Sequence, residues 1–240
     1  MLNRHALVKA AALIGLAACL LGCSENNVSL FVRHVPIPNP EDNCAIEIDP
    51  EGESYPAGKL DKAFRPAYDR VLLLGNQLQP RGDAETLKPE TSQVQLYEAE
   101  VTVFDVAGNE LISYTHPTAG FIDQAQGSLP GYGLVQVTML PPEVTSVFDT
   151  STGVGYQLVS RVRVFGSTLG GTEVNSGSWD WPIFLCETTA SSSCIGGFEP
   201  EDTEAPVIPR CPDGQDERVD IRLLQSVVAC KGPNPPATCP

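Results

Sequence analysis

Hydrophobic residues in the middle of the chain recur at the two-residue spacing of β-strands. Residues 93–105 (QVQLYEAEVTVFD) alternate between polar and apolar, which is typical of a strand with one buried face. The alternation changes phase halfway, so we predict an irregularity near Glu98 and Ala99. Residues 107–109 (AGN) then supply turn residues, and residues 110–115 return as a second strand, which together predict a hairpin.

Other hydrophobic runs along the chain are also typical of strands. We predict further strands over residues 29–35, 70–78, 133–140, 155–165 and 173–185. Gly170 and Gly171 predict a second hairpin between the last two of these strands, whereas residues 59–68 are interpreted as a short helical turn. Because strands recur between turns without a long helical period, the sequence predicts a mainly β protein. We expect an antiparallel, immunoglobulin-like β-sandwich, with a β-barrel as the alternative.

The first 22 residues have the three zones of a secretory signal peptide. Arg4 and Lys9 provide positive charge, residues 10–22 form an apolar run of 13 residues, and polar residues begin directly after Cys23. The run is shorter than the roughly 20 residues that a membrane-spanning helix needs. Residues 20–23 (LLGC) resemble the lipobox of bacterial lipoproteins, whose cysteine carries acyl chains such as palmitate. This resemblance implies that Cys23 is lipidated and becomes the new N-terminus.

A second cysteine, Cys19, also fits the lipobox, but two observations favour Cys23. After Cys19 the chain stays apolar through Gly22, and lipidation of Cys23 leaves an even number of cysteines in the mature chain. Each buried methylene of an acyl chain contributes about 0.8 kcal/mol, and two chains hold a protein on a membrane durably. Ser24, where an aspartate would resemble an inner-membrane retention signal, favours the outer membrane.

Six cysteines remain after Cys23, and we predict that they form disulfides because the compartment of exported proteins is oxidising. They are Cys44, Cys186, Cys194, Cys211, Cys230 and Cys239. Six cysteines allow fifteen pairings, among which the sequence does not choose. The closest pairs are too widely spaced for a zinc knuckle, so the disulfide interpretation is preferred to a metal site.

These features divide the chain into four segments. They are a lipoprotein signal peptide (1–22), a lipid tether (23–28), a β-sandwich domain (29–186) and a disulfide-tied, proline-rich and acidic C-terminal region (187–240). We expect the C-terminal region to bury little core. Removal of the signal peptide, which holds two of the 15 basic residues and no acidic one, changes the net charge from −15 to −17. This charge excludes nucleic acid as a partner and favours cations or basic partners.

No pattern in the mature chain carries catalytic chemistry. His34 and His116 are its two histidines, and a structural role in or beside strands is the simpler interpretation of both. The common hydrolase, zinc-protease and phosphate-loop motifs are absent. Four acidic residues surround Gly214 in the C-terminal region: Asp213, Asp216, Glu217 and Asp220. Their composition suits calcium but their order does not, so we predict no enzyme, no cofactor and no metal.

Two tryptophans form the one candidate ligand contact. Trp179 and Trp181 flank Asp180, so in a strand both rings face the same side. Such a pair can stack on a sugar ring or anchor a protein partner. Residues 182–185 (PIFL) continue the apolar run, however, and large aromatic residues are mostly buried. We therefore favour a core position and keep ligand contact as the second hypothesis.

Several short stretches resemble an uncharacterised group of lipoproteins from myxobacteria and their relatives. They are residues 29–35 (SLFVRHV), 58–61 (GKLD), 76–78 (NQL), 90–91 (ET), 181–186 (WPIFLC) and 214–217 (GQDE). In that group another cysteine follows GQDE closely, whereas here the next one is Cys230, so the disulfide pattern is expected to differ. The resemblance implies a lipoprotein of unassigned function and identifies no functional residue.

Together these observations predict a lipid-anchored protein of the cell envelope that acts as a binding or structural module. A partner protein or a glycan of the envelope is the expected ligand. A carbohydrate-binding surface is the alternative function, and an enzyme without a familiar motif is the third hypothesis.

Replacement of the lipobox cysteine tests the predicted attachment to a membrane. Cys23→Ala should leave the protein unprocessed or release it from membranes, because the acyl chains that hold it are lost. The intact mass of the wild-type mature protein should correspond to a lipid-modified chain that begins at Cys23. A mature chain that begins at Cys19, or one without lipid, contradicts the prediction.

Overall fold

The computed structural model describes residues 29–39, 42–82, 89–151 and 154–188, together with Cys194, Cys211 and Asp216. Within these residues, nine strands and one short helix follow one another. They are β1 (Leu30–His34), β2 (Gly58–Asp61), β3 (Tyr68–Asn76), β4 (Val94–Asp105), β5 (Glu110–Ile122), β6 (Gly131–Leu140), α1 (Pro142–Thr145), β7 (Tyr156–Thr168), β8 (Glu173–Asn175) and β9 (Trp179–Cys186). The prediction of a mainly β protein is confirmed.

The described strands form two separate sheets rather than one sheet closed on itself. The smaller sheet has the order β1-β3-β6, and the larger has the order β2-β9-β7-β4-β5 with β8 beside β7. All neighbouring strands are antiparallel except β2 and β9, which run parallel. The core-facing sides of both sheets supply one continuous cluster of buried hydrophobic residues. The predicted sandwich is thus confirmed, with one parallel strand pair.

Strand β4 contains the predicted irregularity. Its register shifts between Leu96 and Glu98 against both of its neighbours, β5 and β7. Leu96, Ala99 and Val101 are all buried although their spacing is not a multiple of two. The extra residue of a β-bulge explains this, because it turns the second half of the strand so that its apolar face returns to the core.

Both predicted hairpins are present. In the β4–β5 turn, the Asp105 carboxylate accepts hydrogen bonds from the N–H groups of Ala107 at 2.9 Å and Asn109 at 2.8 Å. Gly108 completes this turn with a φ of 83°, which a residue with a side chain rarely adopts. In the β7–β8 turn, Gly171 has a φ of 82°, which is also a conformation that glycine adopts far more readily than other residues.

The predicted helical turn over residues 59–68 is present only at residues 61–65, where the N–H groups of Phe64 and Arg65 both donate to the carbonyl of Asp61 at 3.1 Å. Lys59 and Leu60 belong to β2, which pairs with Phe184 and Leu185 of β9. The chain then turns at Asp61, whose carboxylate accepts a hydrogen bond from the N–H of Ala63 at 3.0 Å. Pairing with β9 satisfies the backbone groups of this segment in the sheet, so tertiary contacts override its local preference.

Side chains of the larger sheet reach the backbone of β6 and join the two sheets. Tyr114 and Thr118 of β5 donate hydrogen bonds to the carbonyl groups of Thr138 at 2.6 Å and Gln136 at 3.0 Å. The Ser160 hydroxyl of β7 donates to the carbonyl of Met139. These bonds give carbonyl groups of β6 partners on the larger sheet.

The described ranges contain no helix long and apolar enough to cross a membrane. The helix α1 has only four residues and connects β6 to β7.

Glu90 holds together the two ends of the connection between β3 and β4. Its carboxylate accepts hydrogen bonds from the N–H groups of Arg81 at 3.1 Å and Gly82 at 3.0 Å on one side. On the other side it accepts them from Thr91 at 2.8 Å and Ser92 at 2.6 Å. These bonds, that from Ser92 foremost, lower the pKa of Glu90 to about 2.

The substitution Glu90→Gln should lower the melting temperature, because a neutral amide accepts these hydrogen bonds less strongly than a carboxylate. The pKa of Glu90 is depressed on folding from its ordinary 4.5 to about 2, so its stabilisation is complete above pH 4.5 and is lost as the pH falls toward 2. The difference in melting temperature between wild type and variant should shrink across that window. Glu110→Gln, at the exposed start of β5, is the control. A difference that stays constant over this window contradicts the assignment.

Candidate functional site

One carboxylate from the C-terminal region lies inside the β domain. The Asp216 side chain is 2% exposed and pairs with Arg70 of β3, which is 4% exposed. Oδ2 of Asp216 accepts hydrogen bonds from Nε of Arg70 at 2.6 Å, from Nη2 of the same guanidinium, and from the Tyr68 hydroxyl at 2.7 Å. Oδ1 accepts one from the backbone N–H of Lys59. We call these three donor residues, Lys59, Tyr68 and Arg70, the carboxylate cradle.

The positions of the donors follow from strand geometry. Tyr68 and Arg70 are two residues apart on β3, so their side chains leave the same face of the sheet. The Tyr68 hydroxyl also accepts a hydrogen bond from Nε1 of Trp181 at 3.2 Å. The Arg70 guanidinium lies 4.6 Å from the ring centroid of Tyr55, which supports it by a cation–π contact. Packing therefore fixes the side chains of the cradle independently of Asp216.

Gly58 at the start of β2 is required by this arrangement. A β-carbon at this position would lie 2.6 Å from the Tyr68 hydroxyl and 2.8 Å from Nε1 of Trp181, closer than real atoms approach. The absence of a side chain lets the backbone of β2 run against these two groups. It also brings the N–H of Lys59 to the carboxylate of Asp216.

The electrostatics of the cradle favour an anion. Burial, together with the neighbouring carboxylate, raises the pKa of Tyr68 well above its usual range, so its hydroxyl remains a donor. Burial opposes the charge on Arg70, but the Asp216 carboxylate raises the pKa of this guanidinium. Burial also raises the pKa of Asp216, and the Arg70 guanidinium works against that shift. A site made of donors around a fixed positive charge is complementary to an ionised carboxylate.

Two of the predicted disulfides are present. Cys44 is bonded to Cys211 and Cys186 to Cys194, each with Cα atoms 5.5 Å apart. The first bridge spans 167 residues, for which the chain-entropy model gives a stabilisation on the order of 4–5 kcal/mol. It attaches the C-terminal region to the β domain five residues before Asp216. The other two predicted partners, Cys230 and Cys239, lie outside the described residues, as does Cys23.

A surface groove of about 430 Å³ lies beside the cradle. Its lining residues come from the small sheet, the segment after β1, the turn before β3 and the first disulfide: Pro38, Cys44, Ile46, Arg65, Asp69, Arg70, Val71, Gln136 and Cys211. Arg70 contributes to both the groove and the cradle. The residue that carries the buried charge therefore also lines the groove, with 4% of its side chain exposed.

The two tryptophans face one side of β9, as predicted, and that side is the core. Their rings stack with centroids 5.1 Å apart and an angle of 20° between the planes. Trp181 is 5% exposed and belongs to the buried cluster, while Trp179 is half-buried at its edge. Of the predicted ligand-contact pair, only Trp179 has an accessible surface.

The histidines are not brought together. His34 pairs with Leu73 of the small sheet and His116 with Ala99 of the large one. One buried ring nitrogen in each has no hydrogen-bond partner, and burial lowers the pKa of His34. Among the described residues neither imidazole is hydrogen-bonded to a carboxylate, so the structure shows no acid–base pair built on them.

Three of the stretches that carry the lipoprotein resemblance meet at the cradle. Residues 58–61 form β2, residues 181–186 form most of β9, and these strands pair with each other. Asp216 of the third stretch, residues 214–217, binds the backbone of Lys59. Asp216 thus pairs with the Arg70 guanidinium rather than with a metal ion. The described residues contain no cluster of three ligands suited to a metal. Asp213, Glu217 and Asp220 lie outside the described residues.

No protein family model matches the chain, and no curated protein is significantly similar to it. The lipoprotein resemblance therefore remains a prediction from short sequence stretches.

The cradle is not predicted from the sequence, although β3 carries a signal for it. Arg70 is in phase with Leu72 and Leu74, which belong to the core cluster. A charged residue at a core-facing position of a buried strand requires a partner. The sequence contains many carboxylates, and nothing in it indicates that the partner would be Asp216.

Removal of Arg70 tests the importance of the buried pair. Arg70→Met should lower the free energy of unfolding by about 3–5 kcal/mol, because it leaves the Asp216 carboxylate buried without its cation. Arg161→Met breaks the exposed pair with Asp180 and should cost only about 0–1 kcal/mol. Urea unfolding of both variants at neutral pH measures the difference. Equal losses for the two variants contradict the structural role given to Arg70.

Proposed function

We propose that the protein is a lipid-anchored protein of the cell envelope, held on the outer membrane through Cys23, whose β-sandwich binds a protein partner. The observation that carries the binding proposal is the outer face of the large sheet. This face consists of the side chains of β4, β5, β7 and β9 that point away from the core. Representative members are Tyr97, Glu100, Phe104, Leu111, Phe121, Arg161, Arg163, Asp180 and Pro182.

Large apolar side chains are exposed on this face. Phe121 is 57% exposed, Tyr97 is 44% exposed and Leu111 is 40% exposed. Tyr97 donates a hydrogen bond to the Glu173 carboxylate at 2.5 Å, which holds its ring in place and raises its pKa to about 12. A fixed aromatic ring loses little conformational entropy when a partner covers it.

The positively charged residues of the outer face are arginines rather than lysines. Arg161 makes two hydrogen bonds to Asp180, at 2.7 Å and 2.9 Å, and its guanidinium lies 5.0 Å from the ring centroid of Phe104. Arg163 lies 3.7 Å from Glu100. The four strands contain no lysine. Enrichment in Tyr, Phe and Arg with depletion of Lys is the composition of protein interfaces.

Carbohydrate binding has less support than protein binding. The sugar hypothesis depended on two co-facial tryptophans at the surface, and Trp181 lies in the core. Trp179 alone offers part of one ring.

Capture of partners by variants of the outer face tests the proposal. Mature lipidated protein would be used to capture proteins from detergent-solubilised envelopes, with wild type compared with Tyr97→Ser/Phe121→Ser. Loss of two anchoring aromatic residues should lower the affinity for a specific partner at least about tenfold, which corresponds to about 1.4 kcal/mol of binding free energy.

Val147→Ser is the matched control. Val147 is 75% exposed but lies in the connection between α1 and β7, outside the four strands of the outer face. A partner that is lost with the double variant and kept with the control supports the outer face as the binding surface. Identical partners for all three proteins, or none for wild type, contradict it.

A further inference from the structure

We propose that the end of the sandwich nearest Cys23 contacts the membrane directly, through the exposed side chains of Leu129 and Leu169. The inference rests on the proposed lipidation of Cys23 and gives the protein a second contact with the same membrane. The partner of this end is the lipid bilayer, into whose interface the two leucines insert.

The tether joins both sheets at one end, which we call the tether end. Leu30 of β1 is the seventh residue after Cys23, and a chain of seven residues reaches at most about 25 Å. Leu30 pairs with Asn76, whose side-chain amide donates hydrogen bonds to the carbonyls of Ser92 and Asp123, each at 3.0 Å. A lipid on Cys23 therefore holds this end of both sheets beside the membrane.

Two connections of the large sheet present leucines at the tether end. Leu169 follows β7 and is 52% exposed, and its N–H donates to the carbonyl of Gln93 at 3.0 Å. Leu129 lies between β5 and β6 and is 69% exposed. It exchanges two backbone hydrogen bonds with Gln126, at 2.8 Å and 3.1 Å. The Gln93 side chain donates to Asp123 at 2.7 Å and so links the two connections.

These turns suit the boundary between headgroups and acyl chains. Residues 124–131 and 166–172 contain no charged residue. The N–H groups of both leucines are already bonded within the protein, so they lose no hydrogen bond when water leaves. Each leucine side chain removes apolar surface from water when it enters the interface. Lipid anchors hold more firmly when a second signal supports them.

The opposite end of the sandwich also exposes apolar side chains, but it lies about 26 Å away along the nine-residue strand β3. Val106 and Val147 are 73% and 75% exposed there. Asp105 precedes Val106 directly, and Val147 lies between Glu143 and Asp149 in the sequence. Burial of ionised carboxylates is costly, so these valines are less suited to a membrane even apart from their distance.

Tryptophan fluorescence in vesicles tests the contact. Lipidated mature protein is reconstituted into vesicles of phosphatidylethanolamine and phosphatidylglycerol whose acyl chains carry bromine, a contact quencher of indole fluorescence. Leu129→Trp and Leu169→Trp each place an indole at the tether end. Both leucines are more than half exposed, so tryptophan fits without repacking the core. The fluorescence that each variant adds to wild type should be largely lost in brominated vesicles and kept in unbrominated ones.

Val147→Trp is the matched control, because it adds an equally exposed indole at the opposite end, and its added fluorescence should be kept. Flotation of the same samples with vesicles separates the two proposals. Wild type that floats while neither tether-end indole is quenched overturns the membrane contact and leaves lipidation intact. Equal quenching of the control also overturns it. Wild type that does not float overturns both the lipidation and the contact that rests on it.

Discussion

A positive charge placed in the core determines how the two parts of the chain are joined. Arg70 occupies the face of β3 that Leu72 and Leu74 give to the hydrophobic core, and it is 4% exposed. A guanidinium in that position destabilises the fold unless an anion reaches it. The anion is Asp216, which lies 146 residues further along the chain. The β domain and the C-terminal region therefore depend on each other here, although composition changes sharply between them.

Buried polar side chains that need hydrogen-bond partners also lie at the ends of other strands. Asp61, fully buried, accepts hydrogen bonds from the N–H of Ala63 at 3.0 Å and from that of Thr188 at 2.9 Å, and so joins the ends of β2 and β9. Asn76, also fully buried, donates to the carbonyls of Ser92 and Asp123, each at 3.0 Å. A buried polar group is tolerated only when it is satisfied, so these residues specify which connections meet. Hydrophobic burial stabilises the sandwich, and buried polar groups select its register.

Period-two alternation and turn residues were sufficient to predict most strands, both hairpins and the bulge of β4, because each of these is encoded locally, and the succession of strands then favoured a sandwich. Strand β2 could not be predicted in this way, since its pairing partner β9 lies more than 120 residues away. The cradle is non-local for the same reason. The tryptophan pair could be placed on one face of its strand, but which face was buried depended on the second sheet. Alternation specifies two faces and leaves the choice between them to tertiary packing.

The proposed lipid limits where the domain can act. Leu30, at the start of β1, is the seventh residue after Cys23, and a chain of seven residues reaches at most about 25 Å. Leu30 pairs with Asn76 at the end of β3, whereas Tyr68 of the cradle lies eight residues away at the other end, about 26 Å along the strand. Phe121 of the outer face lies beside Gln95, at the end nearer the tether. If Cys23 carries the lipid, the tether therefore joins the sandwich at the end that holds Leu30 and Phe121, and the buried pair of Arg70 and Asp216 lies at the opposite end.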